Sequence, residues 1–257
     1  MSVLDEIIAG VREDLAQRRL PLAQLHELMS TAPKVLDAHT ALQGEQVQVI
    51  AEVKRSSPSK GALAQIEDPA ALAGKYESAG AAVVSVLTER RKFAGSLADL
   101  DAVRQAISIP ILRKDFMVDE YQFLEARAHG SDLVLLIVAA LSSSQLKDYA
   151  DLTQELGMSA LIEVHTHDEL ERALEISPKL VGVNSRNLKT LEVDPQAFSD
   201  LIPRIPAGIL KVAESGISTR KDVEFARECG ADAILVGEAL VRGGDAALTM
   251  RTLLGQG

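Results

Sequence analysis

Ionisable residues stand at the ends of short aliphatic runs along this chain. Ala51-Glu52-Val53-Lys54 ends one run, Leu112-Arg113-Lys114-Asp115-Phe116 another, and Leu161-Ile162-Glu163-Val164 a third. Val183-Asn184-Ser185-Arg186, Ala213-Glu214-Ser215-Gly216 and Leu235-Val236-Gly237-Glu238 end three more. A lysine ammonium beside a carbonyl oxygen can act as a general acid and stabilise charge that grows on that oxygen. A carboxylate nearby can take up a proton. Burying such groups costs several kcal/mol each unless they are paired or used. Polar ends that meet in one mouth therefore point to a catalytic site.

The last two ends add a second chemistry. Ser215-Gly216-Ile217 and Gly237-Glu238-Ala239-Leu240 carry small residues that let backbone N–H groups approach an anion. The second of these segments reads as the start of a short helix, where negative charge is favoured. Arg186 is a natural further clamp, because a guanidinium matches two phosphate oxygens at once. Phe93, Phe116, Leu188 and Val236 can form an apolar wall for a ring, in a chain that is only 3% aromatic. Ser57 and Lys60 lie on the loop after the first run, and its Ser, Pro and Gly61 suit a segment that moves over a ligand.

His165 and His167 form an HxH that resembles half of a metal site. Asp168 follows at an expected helix start, where it reads as a cap and not as a third ligand. No metal is expected, and His165 and His167 are read as loop or cap residues.

These residues need a scaffold that brings strand ends together. Eight strands are expected at 47–53, 82–87, 109–113, 132–138, 160–164, 180–183, 211–213 and 233–236. Most are apolar throughout, as in a parallel sheet covered on both faces. The intervals of roughly 20 to 35 residues each have room for a crossover helix. Asp68-Pro69 looks like an N-cap followed by a first-turn proline, and Gly80, Gly130, Gly157 and Gly230 stand where helices end. No Gly-rich phosphate turn follows the first strand, which disfavours an open doubly wound sheet. The α/β class is thus a (β/α)8 TIM barrel over 47–257, whose site forms at the C-terminal strand ends. Residues 1–46 form a helical extension, with Leu4, Ile7, Ile8, Val11 and Leu15 at helical spacing.

The chain has 257 residues and a formal net charge of −10, which disfavours nucleic acid as a partner but allows a small anion in a cationic pocket. Its single cysteine, Cys229, cannot form an internal disulfide and reads as a packed thiol at a helix end. The first residues lack a basic segment followed by an apolar run, and no apolar stretch is long enough to span a bilayer. A cytoplasmic location, with no membrane partner, is expected.

Seven segments together resemble the indole-3-glycerol-phosphate synthase family. They run from Ile50 to Ser59, Thr88-Glu89 with Phe93 to Ser96, Leu112 to Phe116, Leu161 to Val164, Gly182 to Leu188, Ala213 to Ile217, and Leu235 to Leu240. Ala239 departs from the serine that the family often has there. The resemblance implies ring closure of 1-(2-carboxyphenylamino)-1-deoxyribulose 5-phosphate, with loss of carbon dioxide and water and without a cofactor. It implies Lys114 as general acid, Glu163 as general base, and Lys54 as a partner of the substrate carboxylate or the developing charge. Glu52, Asn184 and Ser215 complete the catalytic group. Ser57, Phe93, Phe116, Arg186, Leu188, Glu214, Gly216, Val236, Gly237 and Glu238 would bind the phosphorylated substrate. A monomer is expected, as in most unfused members. Spacing alone stops earlier, at acid–base chemistry on a phosphorylated ligand. It leaves open a sugar-phosphate isomerase, a Schiff-base aldolase using Lys54 or Lys114, and a barrel that only binds a phosphometabolite.

Overall fold

The computed structural model describes residues 2–188 and 190–256, and among them eight parallel strands close into a barrel. They are β1 (Gln48–Val53), β2 (Val83–Leu87), β3 (Ile111–Lys114), β4 (Leu133–Ile137), β5 (Ser159–Val164), β6 (Leu180–Asn184), β7 (Leu210–Glu214) and β8 (Ala233–Val236). Each pairs with the next in sequence, and β1 closes the ring by pairing Ile50 with Val83 on one side and Leu235 on the other. The expected strands are all present, with ends shifted by a residue or two. The third begins at Ile111 because Pro110 precedes it and has no N–H to donate.

Helices alternate with the strands. They are α4 (Pro69–Ser78), α5 (Leu97–Ala106), α6 (Tyr121–Ala128), α7 (Ser143–Glu155), α8 (His167–Glu175), α9 (Gln196–Leu201), α10 (Arg220–Glu228), α11 (Glu238–Arg242) and α12 (Ala246–Leu254). Asp68 caps α4 as expected, its side chain accepting the Ala71 N–H with Pro69 in the first turn. Gly80, Gly130, Gly157 and Gly230 all have positive φ at helix ends. Cys229 ends α10 and packs against the core. Asp168 does not cap α8. Thr166 does, its side chain accepting the Glu169 N–H, because a cap must precede the first turn and Asp168 already lies within it.

Alternation along the strands divides two cores. Val49, Ala51, Val84, Val86, Val134 and Ile162 face outward and pack under the helices. Ile50, Leu112, Leu161, Val212 and Leu235 face inward and fill the barrel. Two residues further on, each inward register reaches Glu52, Lys114, Glu163, Glu214 and Gly237 at the barrel's upper end. The apolar inner layer is thus the floor on which the polar residues stand.

The extension consists of α1 (Val3–Arg18), α2 (Leu22–Thr31) and α3 (Ala38–Ala41). Helix α1 belongs to the upper end, where Val3, Leu4 and Ile7 line the same cavity as Lys114 and Glu163. Arg18 holds its far end, bonding Glu125 of α6 at 3.0 Å. Ala38 and Leu42 pack with Val83, Leu133, Leu180 and Ala233 at the opposite, N-terminal end of the strands. Helix α2 packs on α6. The loop after β1 contains a small hairpin, with Ser56–Ser57 paired to Gly61–Ala62, that the sequence pattern does not announce. No described helix is long and apolar enough to cross a membrane.

Candidate active site

The upper end of the barrel opens into a cavity. All sixteen residues expected at the site line it: Glu52 on β1 and Lys54 just beyond it, Ser57 and Phe93 from loops, Lys114 and Phe116 at β3, and Glu163 on β5, with Asn184, Arg186, Leu188, Glu214, Ser215, Gly216, Val236, Gly237 and Glu238 completing the ring. One strand end divides its charges. Lys114 faces the cavity, whereas Arg113 points outward and is fully buried beneath α6. There it bonds Asp115 at 3.0 Å, Glu125 at 2.9 Å and the Gln122 carbonyl at 3.0 Å, a structural network whose Asp115 also borders the cavity.

Lys114 stands among three carboxylates brought by three strands. Its Nζ lies 3.4 Å from Glu214 Oε2, 3.6 Å from Glu163 Oε2 and 4.0 Å from Glu52 Oε1. Burial by itself would strip the Lys114 proton, but Glu214, Glu163 and Glu52 outweigh it and hold the ammonium above its ordinary range. Lys54 Nζ, from just past the end of the same strand, approaches Glu52 Oε2 at 2.6 Å. Glu52 thus faces both lysines.

Glu163 and Glu214 are both almost wholly buried, with side chains 1% exposed, yet they titrate in opposite directions. Burial pushes the Glu214 carboxyl up to about 8, since Lys114 opposes this only in part and the nearby Glu163 adds to it. Burial would raise Glu163 too, but Lys114, His165 and Asn184 reverse that and hold it well below the carboxylate range. The surroundings thus favour the protonated form of one carboxyl and the ionised form of its neighbour. Neither oxygen of either group receives a protein hydrogen bond of good geometry, although Lys114 charge is near both.

The apolar side of the cavity is formed by Phe93 and Phe116, with ring centroids 6.1 Å apart and planes tilted by 39°, and by Leu4, Ile7 and Leu188. The opposite rim carries the small residues of the last two loops. Ser215 and Gly216 both have positive φ, at 68° and 72°. Gly237 packs against β1, where a Cβ would stand 2.6 Å from Glu52 Oε2. Arg186 lines the cavity while its Nη1 donates to the Leu191 carbonyl at 2.9 Å, which holds its own loop. Glu238 is bonded by Lys60 at 2.8 Å and by Arg242 at 3.0 Å, so the loop after β1 is joined to the loop after β8.

Two residues that carry no expected role in the site help to shape it. Glu89, after β2, accepts the backbone N–H groups of Arg91, Lys92 and Phe93 at 2.8, 2.7 and 3.0 Å, shaping the loop that presents Phe93. His165 is no free loop residue. Its Nε2 faces Glu163 at 3.4 Å and its Nδ1 faces Glu169 at 3.0 Å. Its place two residues beyond Glu163, on the same face of the strand, is the signal that could have found it.

The sequence matches the family profile described as Indole-3-glycerol phosphate synthase over residues 4–253. The indole-3-glycerol phosphate synthase of Micrococcus luteus is 57% identical over 95% of this chain and 94% of that protein. Indole-3-glycerol phosphate synthase 1 of Streptomyces coelicolor is 56% identical over 100% of this chain and 96% of that protein. Among solved structures, 3-hexulose-6-phosphate synthase superposes with a TM-score of 0.64 at 17% identity, over 82% of this chain and 99% of that one, a likeness of fold alone. With a profile that spans nearly the whole chain and relatives above half identity, the chain belongs to the indole-3-glycerol phosphate synthase family, carboxy-lyases of tryptophan biosynthesis.

Proposed function

We propose that this chain closes the indole ring of 1-(2-carboxyphenylamino)-1-deoxyribulose 5-phosphate with Lys114 as general acid and Glu163 as general base. One observation carries the assignment. A lysine and three carboxylates from β1, β3, β5 and β7 converge on the floor of a cavity walled by two phenylalanines.

The aryl carbon that bears the carboxylate attacks the substrate's carbonyl carbon, and a carbon–carbon bond forms. The carbonyl oxygen takes a proton from Lys114. An alkoxide is far more basic than an amine, so the transfer runs downhill even from a lysine held above its usual range. The bond to carbon dioxide then breaks and its electron pair restores the aromatic ring. The hydroxyl takes a second proton, from the Lys54 ammonium, and leaves as water while Glu163 accepts the proton lost from the new ring. Lys114 has given up its charge by then, and that charge is a principal force holding Glu163 low. The base strengthens as the reaction calls on it.

Lys54 holds the substrate carboxylate or the growing negative charge, and Glu52 orients both lysines. Asn184 and Ser215 orient the reacting groups. Phe93, Phe116 and Leu188 hold the aromatic ring, whereas Val236, next to the inward Leu235, packs with the outer core under the helices. Gly216, Gly237 and the start of α11 offer backbone N–H groups to the phosphate, aided by Ser57 and Arg186. Glu214, protonated beside Glu163, supplies a neutral donor. The same reading expects a monomeric cytoplasmic enzyme, which sedimentation and cell fractionation would test.

The purified chain, incubated with the carboxyphenylamino substrate, should release a product with indole absorbance and fluorescence. The chain has no tryptophan, so its own emission interferes little. Borohydride added during turnover should not label Lys54 or Lys114. A trapped lysine adduct would instead establish the Schiff-base aldolase chemistry.

A further inference from the structure

We propose that His165 is a positioning residue for Glu163: gripped by Glu169, its ring completes a Glu169–His165–Glu163 chain that aims the carboxylate at the substrate and presents it ionised. This rests on reading Glu163 as the general base.

The geometry begins at the turn between β5 and α8. Thr166 caps α8 and fixes the Glu169 backbone, accepting its N–H at 3.2 Å. Glu169 then reaches back, and one oxygen, Oε2, accepts the His165 backbone N–H at 2.7 Å and faces ring Nδ1 at 3.0 Å. Two bonds to one oxygen leave the ring little rotational freedom. The His165 side chain is only 6% exposed, so little solvent reaches it. Its other nitrogen, Nε2, is buried without a hydrogen bond of good geometry, and it is aimed at Glu163 Oε1 at 3.4 Å.

A ring between two carboxylates meets both as a donor only when both nitrogens carry protons. A neutral ring would present a lone pair to one anion. Burial favours the neutral form, but Glu163 and Glu169 overturn it and push the ring up to about 10. Other charges act on Glu163 from elsewhere in the barrel: Lys114 on β3 attracts it, and Glu214 on β7 shares its surroundings. Glu52 on β1 enters through Lys114 and Glu214. His165 is therefore a second cation on Glu163. It differs from Lys114 in one respect that matters: it touches no reacting atom in the proposed mechanism and keeps its proton throughout. Once Lys114 has discharged, His165 is the charge that still fixes the carboxylate.

The test has two parts on the intact chain. In the wild type, ¹⁵N spectra resolve five histidines, and His165 is assigned by its loss in His165→Asn. The ring should show two protonated nitrogens at about pH 8 and should lose that state at lower pH in Glu169→Gln. A neutral His165 at about pH 7 in the wild type would overturn the proposal, and this measurement needs no variant to be active. In kinetics, His165→Asn should lower kcat about tenfold near neutrality with KM within about twofold, and move the acidic limb of the kcat profile up by about one pH unit. Glu169→Gln should instead move the alkaline limb down. A uniform loss with unshifted limbs and a lowered Tm would mark a merely structural residue. If Glu163→Gln is inactive while His165→Asn keeps the wild-type profile, the base stands and the clamp falls. If Glu163→Gln still turns over, the base reading itself falls and the proposal with it.

Discussion

Lys114 Nζ lies 3.4 Å from Glu214 Oε2, nearer than to Glu163 at 3.6 Å. The carboxyl nearer the ammonium is the one whose surroundings favour the protonated form, because Glu214 has little besides Lys114 to oppose its burial, whereas Glu163 has His165 and Asn184 as well. Lys114 thus has two duties. It supplies the acid, and it neutralises a buried cluster. Lys114→Ala should reduce kcat by on the order of 10² or more, and Glu163→Gln should match it. The two variants should differ in stability, since only the first leaves carboxylates buried without their cation, a loss of about 3 kcal/mol or more at alkaline pH. Indole release and thermal melts on both variants separate the two duties. Near-wild-type turnover in either would remove its proposed role.

The raised Glu214 carboxyl makes a separate claim about stability and pH. A group that binds its proton more tightly folded than unfolded stabilises the fold below its unfolded pKa, and that contribution is lost as pH rises through the folded value, here about 8. Wild-type stability should therefore decline between the ordinary carboxylate range and about pH 9. Glu214→Gln keeps the shape and a donor but cannot ionise, so its melting temperature should equal the wild type near pH 5 and exceed it by about 3 °C or more near pH 9. A constant difference across that range would show that Glu214 does not titrate there.

The inward residues of this site were legible because a strand has a period of two. Glu52, Lys114, Glu163 and Glu214 each stand two positions beyond an apolar inward residue, so alternation and the closure of eight units suffice to bring them together. The same rule explains why Arg113, adjacent to Lys114, is turned away. Other features depend on contacts between segments far apart in the chain. Helix α1 reads as amphipathic from its spacing, but its place over the cavity is set by Arg18 on Glu125 and by Arg91 on Asp14. Identification of the aromatic substrate came from the resemblance of seven motifs, since spacing alone is equally compatible with other phosphosugar chemistry.

Glu89 offers a test of how the aromatic wall is held. It is 3% exposed, and its two oxygens accept three successive backbone N–H groups ending at Phe93. Hydrogen bonds to a charged group contribute about 1.5–3 kcal/mol each, so the loop should lose its shape without this anchor. Glu89→Ala should raise KM by about tenfold or more, with a smaller fall in kcat, because the ring loses its wall while Lys114 and Glu163 stay in place. Phe93→Ala should show the same split between KM and kcat. Steady-state kinetics on both decide it. An effect of Glu89→Ala confined to kcat would place the residue in the chemistry instead.

Gly237 joins the phosphate rim to the acid–base cluster. Its ladder neighbours place it against β1, and an added Cβ would stand 2.6 Å from Glu52 Oε2 and 3.1 Å from Glu52 Cβ. The Glu52 backbone is fixed by the β-ladder to Ser85, so the side chain must yield. Moving it disturbs the 2.6 Å contact with Lys54 and the 4.0 Å approach to Lys114. Gly237→Ala should therefore lower kcat/KM by about tenfold or more, through both the lysines and the phosphate contacts. Glu52→Gln should reproduce the part that acts through the lysines, with phosphate affinity intact. Competitive inhibition by inorganic phosphate measures that affinity directly. If Gly237→Ala weakens phosphate but leaves kcat unchanged, Glu52 has not moved and the proposed link between rim and cluster fails. If the double variant loses no more kcat than Glu52→Gln alone, the link accounts for the whole catalytic effect of the added methyl group.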